Sequence, residues 1–162
     1  LINFLAKKYH SASLKPNELK WMLNLWIPFI VNRIRIISIS KNFDSMLVCL
    51  KYSFWNRNPD KSVWGGAITS SIDPFFQILM KQILLRKGIV TNFYSKSINI
   101  KFIKKVTSDL QLKFVIKPDQ IDEVQKILLE NGKYSGWYYI DGIDLENNIC
   151  VKGEVEIFLS LR

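Results

Sequence analysis

The chain has 162 residues, 48% of them hydrophobic, with 23 Lys and Arg against 14 Asp and Glu and a formal charge of +9. A chain of this length and hydrophobicity can bury a core without disulfides or a structural metal, which excludes collagen-like, disordered and disulfide-rich classes. We therefore expect one domain over residues 1–162.

Three elements are predicted in the first third of the chain. Residues from Asn17 to about Val31 have apolar positions at helical spacing, so they predict an N-terminal helix that Pro28 bends or ends. Residues 34–40 are short and β-branched, and residues 44–55 alternate strictly between apolar and polar. These two segments predict a pair of strands, which we expect to form a hairpin.

A long apolar segment then begins at Gly65-Gly66 and ends at Lys87-Gly88. It predicts a central helix over about residues 66–87. Its apolar residues lie on all sides of the helix, whereas a surface helix carries them on one stripe. We expect the rest of the chain to wrap around this helix.

The second half predicts four more strands and one helix. The strands are expected at 93–103, 106–116, 134–140 and 149–161, and the helix at 118–131. Asp141-Gly142 predicts the start of a hairpin connection. The order α-β-β-α-β-β-α-β-β indicates an α+β fold, with an antiparallel sheet of about six strands around one buried helix.

The inventory of reactive side chains is short. Cys49 and Cys150 are far apart in the chain, with no CxxC or His spacing nearby, so we expect neither a metal site nor a cofactor. The single His, His10, lies in a polar N-terminal segment, where a catalytic triad would be difficult to build. Acid or base catalysis would then depend on a carboxylate.

The basic residues concentrate at one end of the chain. Residues 1–105 carry 17 basic and 4 acidic side chains, and residues 106–162 carry 6 basic and 10 acidic ones. This asymmetry favours either a surface for a polyanion, such as coenzyme A phosphates, or simply solvated lysines. No nucleic-acid-binding motif accompanies the charge, so we expect no nucleic-acid partner.

No segment predicts a membrane-spanning helix. The longest apolar run, Trp21 to Val31, contains Asn24 and Pro28 and is shorter than the roughly 20 residues that a span requires. The first ten residues also lack the pattern of a secretory signal. We expect a cytoplasmic protein.

Residues 58–73, NPDKSVWGGAITSSID, carry the most specific motif. They resemble the loop and helix start of hot-dog-fold acyl-thioesterases of the phenylacetyl-CoA type, whose pattern is Asn, five residues, His-Gly-Gly and an Asp seven residues later. Here Trp64 stands where that family usually has His. The element order also matches a hot-dog domain, in which the sheet wraps a central helix, so the resemblance covers most of the chain.

The resemblance implies a role for each site residue. Asp73 would be the general base or nucleophile, and the amide of Gly65 would stabilise the oxyanion, with Gly66 beside it at the substrate. Asn58 would orient substrate or water, and Ser95 matches a position where some relatives use a hydroxyl. Trp64 would shape the acyl pocket. Two lysines near the expected pocket mouth, Lys96 and Lys104, would bind a coenzyme A phosphate.

The resemblance further implies a homodimer, which can pair into a tetramer, because the Asp of such enzymes usually faces the helix start of the other subunit. The substrate would be an acyl-CoA or an acyl-carrier thioester. A non-catalytic acyl-ligand-binding domain is the alternative, since an indole cannot exchange a proton as an imidazole does.

Each motif also has a purely structural interpretation. Asp73-Pro74 is typical of a helix N-cap followed by Pro, whereas a helix that begins at Gly66 would be bent by Pro74. Gly65-Gly66 and Asn58 are also common in plain turns. Ser95 can be a solvent-facing strand residue, and strand lysines protect sheet edges from aggregation.

Overall fold

The structure, a computed structural model, describes residues 13–162, so His10 lies outside the described residues. The helices are α1 (Pro16–Asn24), α2 (Ile27–Asn32), α3 (Gly65–Ile72), α4 (Phe75–Arg86) and α5 (Pro118–Asn131). The strands are β1 (Ile34–Ile39), β2 (Ser45–Leu50), β3 (Thr91–Phe102), β4 (Leu110–Val115), β5 (Lys133–Ile143) and β6 (Ile149–Leu161). A short 3₁₀ turn covers Phe54–Asn56.

All six strands join one antiparallel sheet in the order β1-β2-β4-β5-β6-β3. β1 and β2 form the predicted hairpin, and β3 forms one edge of the sheet. The predicted α+β class with six strands is therefore confirmed. Helix α5 lies between the fourth and fifth strands, as predicted.

Helix α4 forms the centre of the core. All residues from Phe75 to Leu84 are buried, as expected for a helix that is apolar on every side. Aromatic rings connect it to the sheet, with Phe75 and Phe76 each 5.0 Å from the ring centroid of Phe114. Phe76 also lies 5.1 Å from Tyr138 on β5. The sheet thus wraps α4, as predicted for the central helix.

The predicted N-terminal helix over residues 17–31 is two helices. Trp26 has extended backbone angles (φ −71°, ψ 122°) and separates α1 from α2. Pro28 lies in the first turn of α2, where its missing N–H costs nothing, whereas in one continuous helix it would leave the Asn24 carbonyl without a donor. Within residues 13–162, no helix is long and apolar enough to cross a membrane.

The predicted central helix over residues 66–87 is also two helices. Asp73 has an extended ψ of 135°, and Pro74 follows it as the residue before α4. Pro74 cannot donate to the carbonyl of Ser70, and its ring disfavours a helical conformation for the preceding residue. The interpretation of a helix that begins at the glycines and is bent by Pro74 was right about the start, but the helix is broken rather than bent. The interpretation of Asp73 as an N-cap was right that a new helix follows, but Pro74 is the residue before it.

The second strand ends at Leu50, although its alternation predicted a strand to Trp55. The Asn56 side chain explains the end, because its Nδ2 donates to the Lys51 carbonyl and its Oδ1 accepts from the Ser53 amide. These bonds satisfy backbone groups that a neighbouring strand would otherwise satisfy. The chain therefore turns away from the sheet toward α3.

The prediction that Asp141-Gly142 starts a hairpin connection was wrong. Both residues lie inside β5, and the turn follows at Asp144, whose Oδ1 accepts from the amides of Glu146 and Asn148. A Cβ at Gly142 would come within 2.9 Å of Leu110 Cδ2, so this glycine permits close packing rather than a turn.

Candidate active site

The break between α3 and α4 holds a carboxylate with two polar partners. The Oδ1 atom of Asp73 accepts a hydrogen bond from Gln77 Nε2 at 2.8 Å and another from Ser95 Oγ. Gln77 Nε2 also donates to Ser95 Oγ. Pro74, not Asp73, is the N-cap residue of α4, and the described bonds of the Asp73 carboxylate come from the side chains of Gln77 and Ser95. The structure thus brings Asp73 and Ser95 together on the inner face of the sheet.

Gln77 is a member of this cluster that the sequence did not predict. It is 1% exposed and lies in the first turn of α4, and its Nε2 donates to Asp73 Oδ1 across the break between α3 and α4. Its Oε1 is buried and has no hydrogen-bond partner among the described residues. The signal in the sequence was a polar residue within an apolar helix segment.

Lys81 continues the polar stripe of α4 four residues after Gln77. It is buried, and its ammonium lies 5.2 Å from the ring centroid of Phe93 on β3. Burial lowers the pKa of Lys81, and the nearby positive charge of Arg162 lowers it further. Edge strand β3 therefore covers the stripe, with Phe93 over Lys81 and Ser95 over Gln77 and Asp73.

Strand β3 has a β-bulge at Lys96, directly after Ser95. The pairing between β3 and β6 shifts register between Ser95 and Ser97, which places the extra residue at Lys96. Lys96 Nζ lies 2.9 Å from Glu156 Oε1 on the outer face, while Ser95 points inward to Asp73. Lys96 is therefore on the opposite face from the carboxylate cluster. This placement argues against its predicted contact with substrate phosphate.

The two glycines begin helix α3. Trp64 is the N-cap residue and makes no side-chain cap hydrogen bond, and the first intrahelical bonds run from Ala67 and Ile68 to the Trp64 carbonyl. The amides of Gly65 and Gly66 precede these bonds, so they carry the partial positive charge of a helix start. This geometry is suited to an anion or an oxyanion.

Trp64 lies over the backbone of Gly66. A Cβ at Gly66 would come within 2.1 Å of the indole ring, so only glycine fits under the ring in this position. The indole is 48% exposed. Trp64 thus covers one side of the helix start.

An open pocket of 420 Å³ borders Gly65. Its wall is formed by Ile68 of α3, by Phe102 at the end of β3 and by residues 103–106 after that strand. Lys104 lines this pocket, and its Nζ lies 3.4 Å from Asp144 Oδ2 and 3.9 Å from Glu146 Oε2. Of the two lysines predicted to bind phosphate, only Lys104 lies beside the helix start.

Asn58 holds the loop before α3 in shape. Its Oδ1 accepts from the Ser62 amide at 3.1 Å, and its Nδ2 lies 3.0 Å from Ser62 Oγ. Both ends of the amide are therefore used within the loop. The arrangement favours the structural interpretation of Asn58 over a direct role in binding substrate or water.

The two halves of the candidate site are separated in one chain. Helix α3 runs from Gly65 to Ile72, and eight residues of helix span about 12 Å. The Asp73 carboxylate and the Gly65 amide therefore lie at opposite ends of one helix. They cannot act on the same carbonyl group within a single chain.

Among residues 13–162, no group of three or more His, Cys, Asp and Glu side chains is placed to hold a metal ion. Cys49 and Cys150 are buried free thiols, and burial raises the pKa of both. Neither lies in the carboxylate cluster described above.

The sequence matches one known protein family. Residues 17–132 match the family described as "Domain of unknown function (DUF4442)". The chain belongs to the DUF4442 family. A comparison with proteins of curated function returned no match.

Solved structures show which fold this DUF4442 chain has. PA5026 of Pseudomonas aeruginosa, a protein of unknown function named "Probable Thioesterase", has a TM-score of 0.77 at 14% identity, over 94% of this chain and 99% of that chain. Thioesterase HI1161 of Haemophilus influenzae has a TM-score of 0.67 at 11% identity, over 94% and 95%. The PaaI protein of E. coli, from the phenylacetic acid degradation operon, has a TM-score of 0.60 at 16% identity, over 85% and 86%. The chain has the hot-dog fold that these proteins share.

Proposed function

We propose that this protein hydrolyses an acyl thioester, with Asp73 as general base or nucleophile. The observation that carries the proposal is the half-buried Asp73 carboxylate in the helix break, held by Ser95 and Gln77. Both of its described bonds go to Oδ1, which leaves Oδ2 as the oxygen that we propose to act on water or substrate. A carboxylate held in one orientation loses little entropy on reaching the transition state.

In the general-base form of the reaction, Oδ2 of Asp73 removes a proton from water as the water oxygen attacks the thioester carbonyl. The carbonyl oxygen becomes an oxyanion, which the amides of Gly65 and Gly66 stabilise. The C–S bond then breaks, and the leaving thiolate takes up the proton that Asp73 removed from water, which regenerates the carboxylate. The products are a carboxylic acid and a thiol.

We propose a homodimer, because the amides and the carboxylate must come from different chains. The length of α3 separates the two groups by about 12 Å within one chain. β3 is an edge strand of 12 residues, which is a suitable surface for pairing with a second copy. In such a dimer, the start of α3 from one copy would face Asp73 of the other.

The pocket beside Gly65 supports a phosphate-bearing carrier such as coenzyme A. Lys104 and Lys105 line this pocket, and cationic side chains attract phosphate. Lys104 also contacts Asp144 and Glu146, so phosphate would compete with these carboxylates for it. Lys96 has no part in this proposal, because it lies on the outer face.

The first test is the hydrolysis of a panel of acyl-CoA thioesters by Asp73→Asn and Asp73→Ala. We expect kcat/KM to fall by roughly 10²–10⁴, the usual contribution of a general base. Asp141→Asn is the matched control, because it makes the same chemical change at an exposed carboxylate on β5. Unchanged turnover in both Asp73 variants would exclude the assigned role.

The second test asks whether the site spans two chains. Gly65→Pro removes one proposed oxyanion donor, and Pro is tolerated at the first position of a helix and after an extended residue such as Trp64. Each variant alone should be nearly inactive. When Gly65→Pro and Asp73→Asn chains are mixed and reassembled, mixed dimers contain one intact site, and activity should reappear. Continued inactivity of verified mixed dimers would argue against a shared site.

One observation favours a second candidate, an acyl-ligand-binding domain without catalysis. Trp64 stands at the position where the resembled enzymes usually have His, and an indole N–H can donate a hydrogen bond but not accept one. Measurable acyl-CoA binding with no turnover of any thioester would support this alternative. The binding of substrate would then be expected to survive Asp73→Asn.

A further inference from the structure

Large apolar side chains are exposed along one part of the surface, which we call the outer patch. Each of its members is at least 40% exposed, and Trp55 reaches 79%. The outer patch consists of Trp21, Leu25, Trp26, Ile27, Ile30, Val31, Phe54 and Trp55. A monomeric soluble protein rarely exposes so many large apolar residues together unless they bind something.

Local structure makes the outer patch continuous. Ile27, Ile30 and Val31 occupy positions i, i+3 and i+4 of α2, so they share one helix face. The buried Asn56 joins the 3₁₀ turn to the end of this helix, because its Nδ2 donates to the Asn32 carbonyl at 3.0 Å. Phe54 and Trp55 of that turn are therefore held beside α2.

The outer patch is not an extension of the core. Helices α1 and α2 place Leu19, Leu23 and Phe29 in the core, and all three are buried. A surface helix normally carries polar residues on the side opposite its buried stripe. Here α2 is apolar on the exposed side as well, with Ile27 71% and Val31 62% exposed.

The charge around the outer patch is mainly positive. Residues 16–60 contain six Lys and Arg and three acidic residues, Glu18, Asp44 and Asp60. Lys20, Arg33 and Arg57 each adjoin a patch segment in the chain, and the Arg57 guanidinium lies 5.2 Å from the Phe54 ring centroid. A second copy docked patch to patch would meet the same positive charge, which disfavours self-association through this surface.

We propose that the outer patch docks this protein onto an anionic lipid bilayer. Tryptophan side chains favour the boundary between headgroups and acyl chains, and each basic residue near an anionic surface contributes about 1 kcal/mol. An apolar surface with basic neighbours combines the two interactions that bind a protein to the membrane surface without crossing it.

The outer patch adjoins the start of α3. The Trp64 amide donates to the Asn56 carbonyl at 2.9 Å, so the turn that carries Phe54 and Trp55 contacts the segment that begins the candidate site. Docking through the outer patch would therefore bring Trp64 and Gly65 close to the bilayer. The docking itself requires no catalytic activity, so its test is independent of thioester hydrolysis.

The test is co-sedimentation of the full chain with phosphatidylcholine vesicles, with and without phosphatidylserine. We expect binding that requires phosphatidylserine and weakens with added salt. The double variant Trp26→Ser/Trp55→Ser should lose at least about tenfold in partitioning, because binding depends on the apolar area buried. Trp137→Ser is the matched control, since Trp137 is 41% exposed but lies on β5, outside the outer patch.

Circular dichroism and urea unfolding establish that each variant is folded before binding is compared. Failure of the wild-type chain to bind anionic vesicles would overturn the proposal. Equal loss in Trp137→Ser and in the double variant would also overturn it. Self-association in solution that the double variant abolishes, without vesicle binding, would assign the outer patch to contact between copies instead.

Discussion

The tight packing around Gly153 gives a sharp prediction about stability. Gly153 of β6 faces the end of α3, and a Cβ there would lie 2.9 Å from Ile140 Cγ2 and 3.0 Å from Ile72 Cδ1. Both isoleucines are buried, so neither can move aside into solvent. Ordinary contacts of this kind begin at about 3.4 Å, so Gly153→Ala requires the core to shift by several tenths of an ångström.

Such overpacking costs about 1–3 kcal/mol. For a chain of this length, the loss corresponds to a fall in Tm of roughly 2–12 °C. The sign of the stability change is informative, because a Gly→Ala change without a clash stabilises a protein by about 0.4–1 kcal/mol. It does so by reducing the conformational entropy of the unfolded chain. The clash therefore has to reverse the effect that the substitution would otherwise have.

Urea unfolding of Gly153→Ala, followed by circular dichroism, measures this loss. Gly65→Ala is the control, because a Cβ there meets only Phe102 Cζ at 3.5 Å, and its stability should not decrease. Ile72→Val removes the Cδ1 atom that contacts the new methyl group. The double variant Gly153→Ala/Ile72→Val should therefore lose less stability than the two single changes added together. If Gly153→Ala unfolds at the wild-type urea concentration or above, the packing argument is refuted.

Two further predictions concern the core and the last turn. Phe114→Ala should lower the free energy of unfolding by about 3–5 kcal/mol, because Phe114 is fully buried between Phe75 and Phe76, and a loss below 1 kcal/mol in urea would contradict this. The backbone and side-chain hydrogen bonds from Asn148 hold the pKa of Asp144 well below its usual range. The Asp144 carboxylate therefore stabilises the fold above about pH 4, and this stabilisation is lost as the pH falls through the lowered pKa. Asp144→Asn should thus be less stable than wild type at pH 7, with a smaller difference at about pH 3; a difference that grows in acid would contradict the argument.

Much of the fold could be predicted from periodicity. The alternation over residues 149–161 and the apolar character of Phe75–Leu84 on every side correctly indicated a strand and a wrapped helix. Burial produces these periods directly, because each side chain that faces the core must be apolar. The motif around Gly65 predicted a helix start through its resemblance to hot-dog thioesterases, and the structure has a helix that begins at Gly65.

The candidate site was predictable only in part. The sequence pointed to Asp73 and Ser95 separately, and the structure joins them across 22 positions of the chain. It did not predict Gln77, because local pattern does not show which strand covers α4, and Gln77 meets Ser95 only through the packing of β3 against that helix. The bulge at Lys96 was likewise invisible, since register between strands depends on the partner strand and not on local pattern.

The sequence by itself predicted an antiparallel sheet around a buried central helix, and its resemblance to hot-dog thioesterases placed the start of α3 and proposed a carboxylate for the chemistry. Hydrophobic periodicity, the residues of a helix start and the scarcity of His and Cys can all be read directly from the sequence. Only the tertiary structure decided that Asp73 lies in a helix break, that Lys96 faces away from it, and that Trp26 and Trp55 lie on one exposed surface. Those relations depend on contacts between residues that are distant in the chain, and such contacts impose no period on the sequence that joins them.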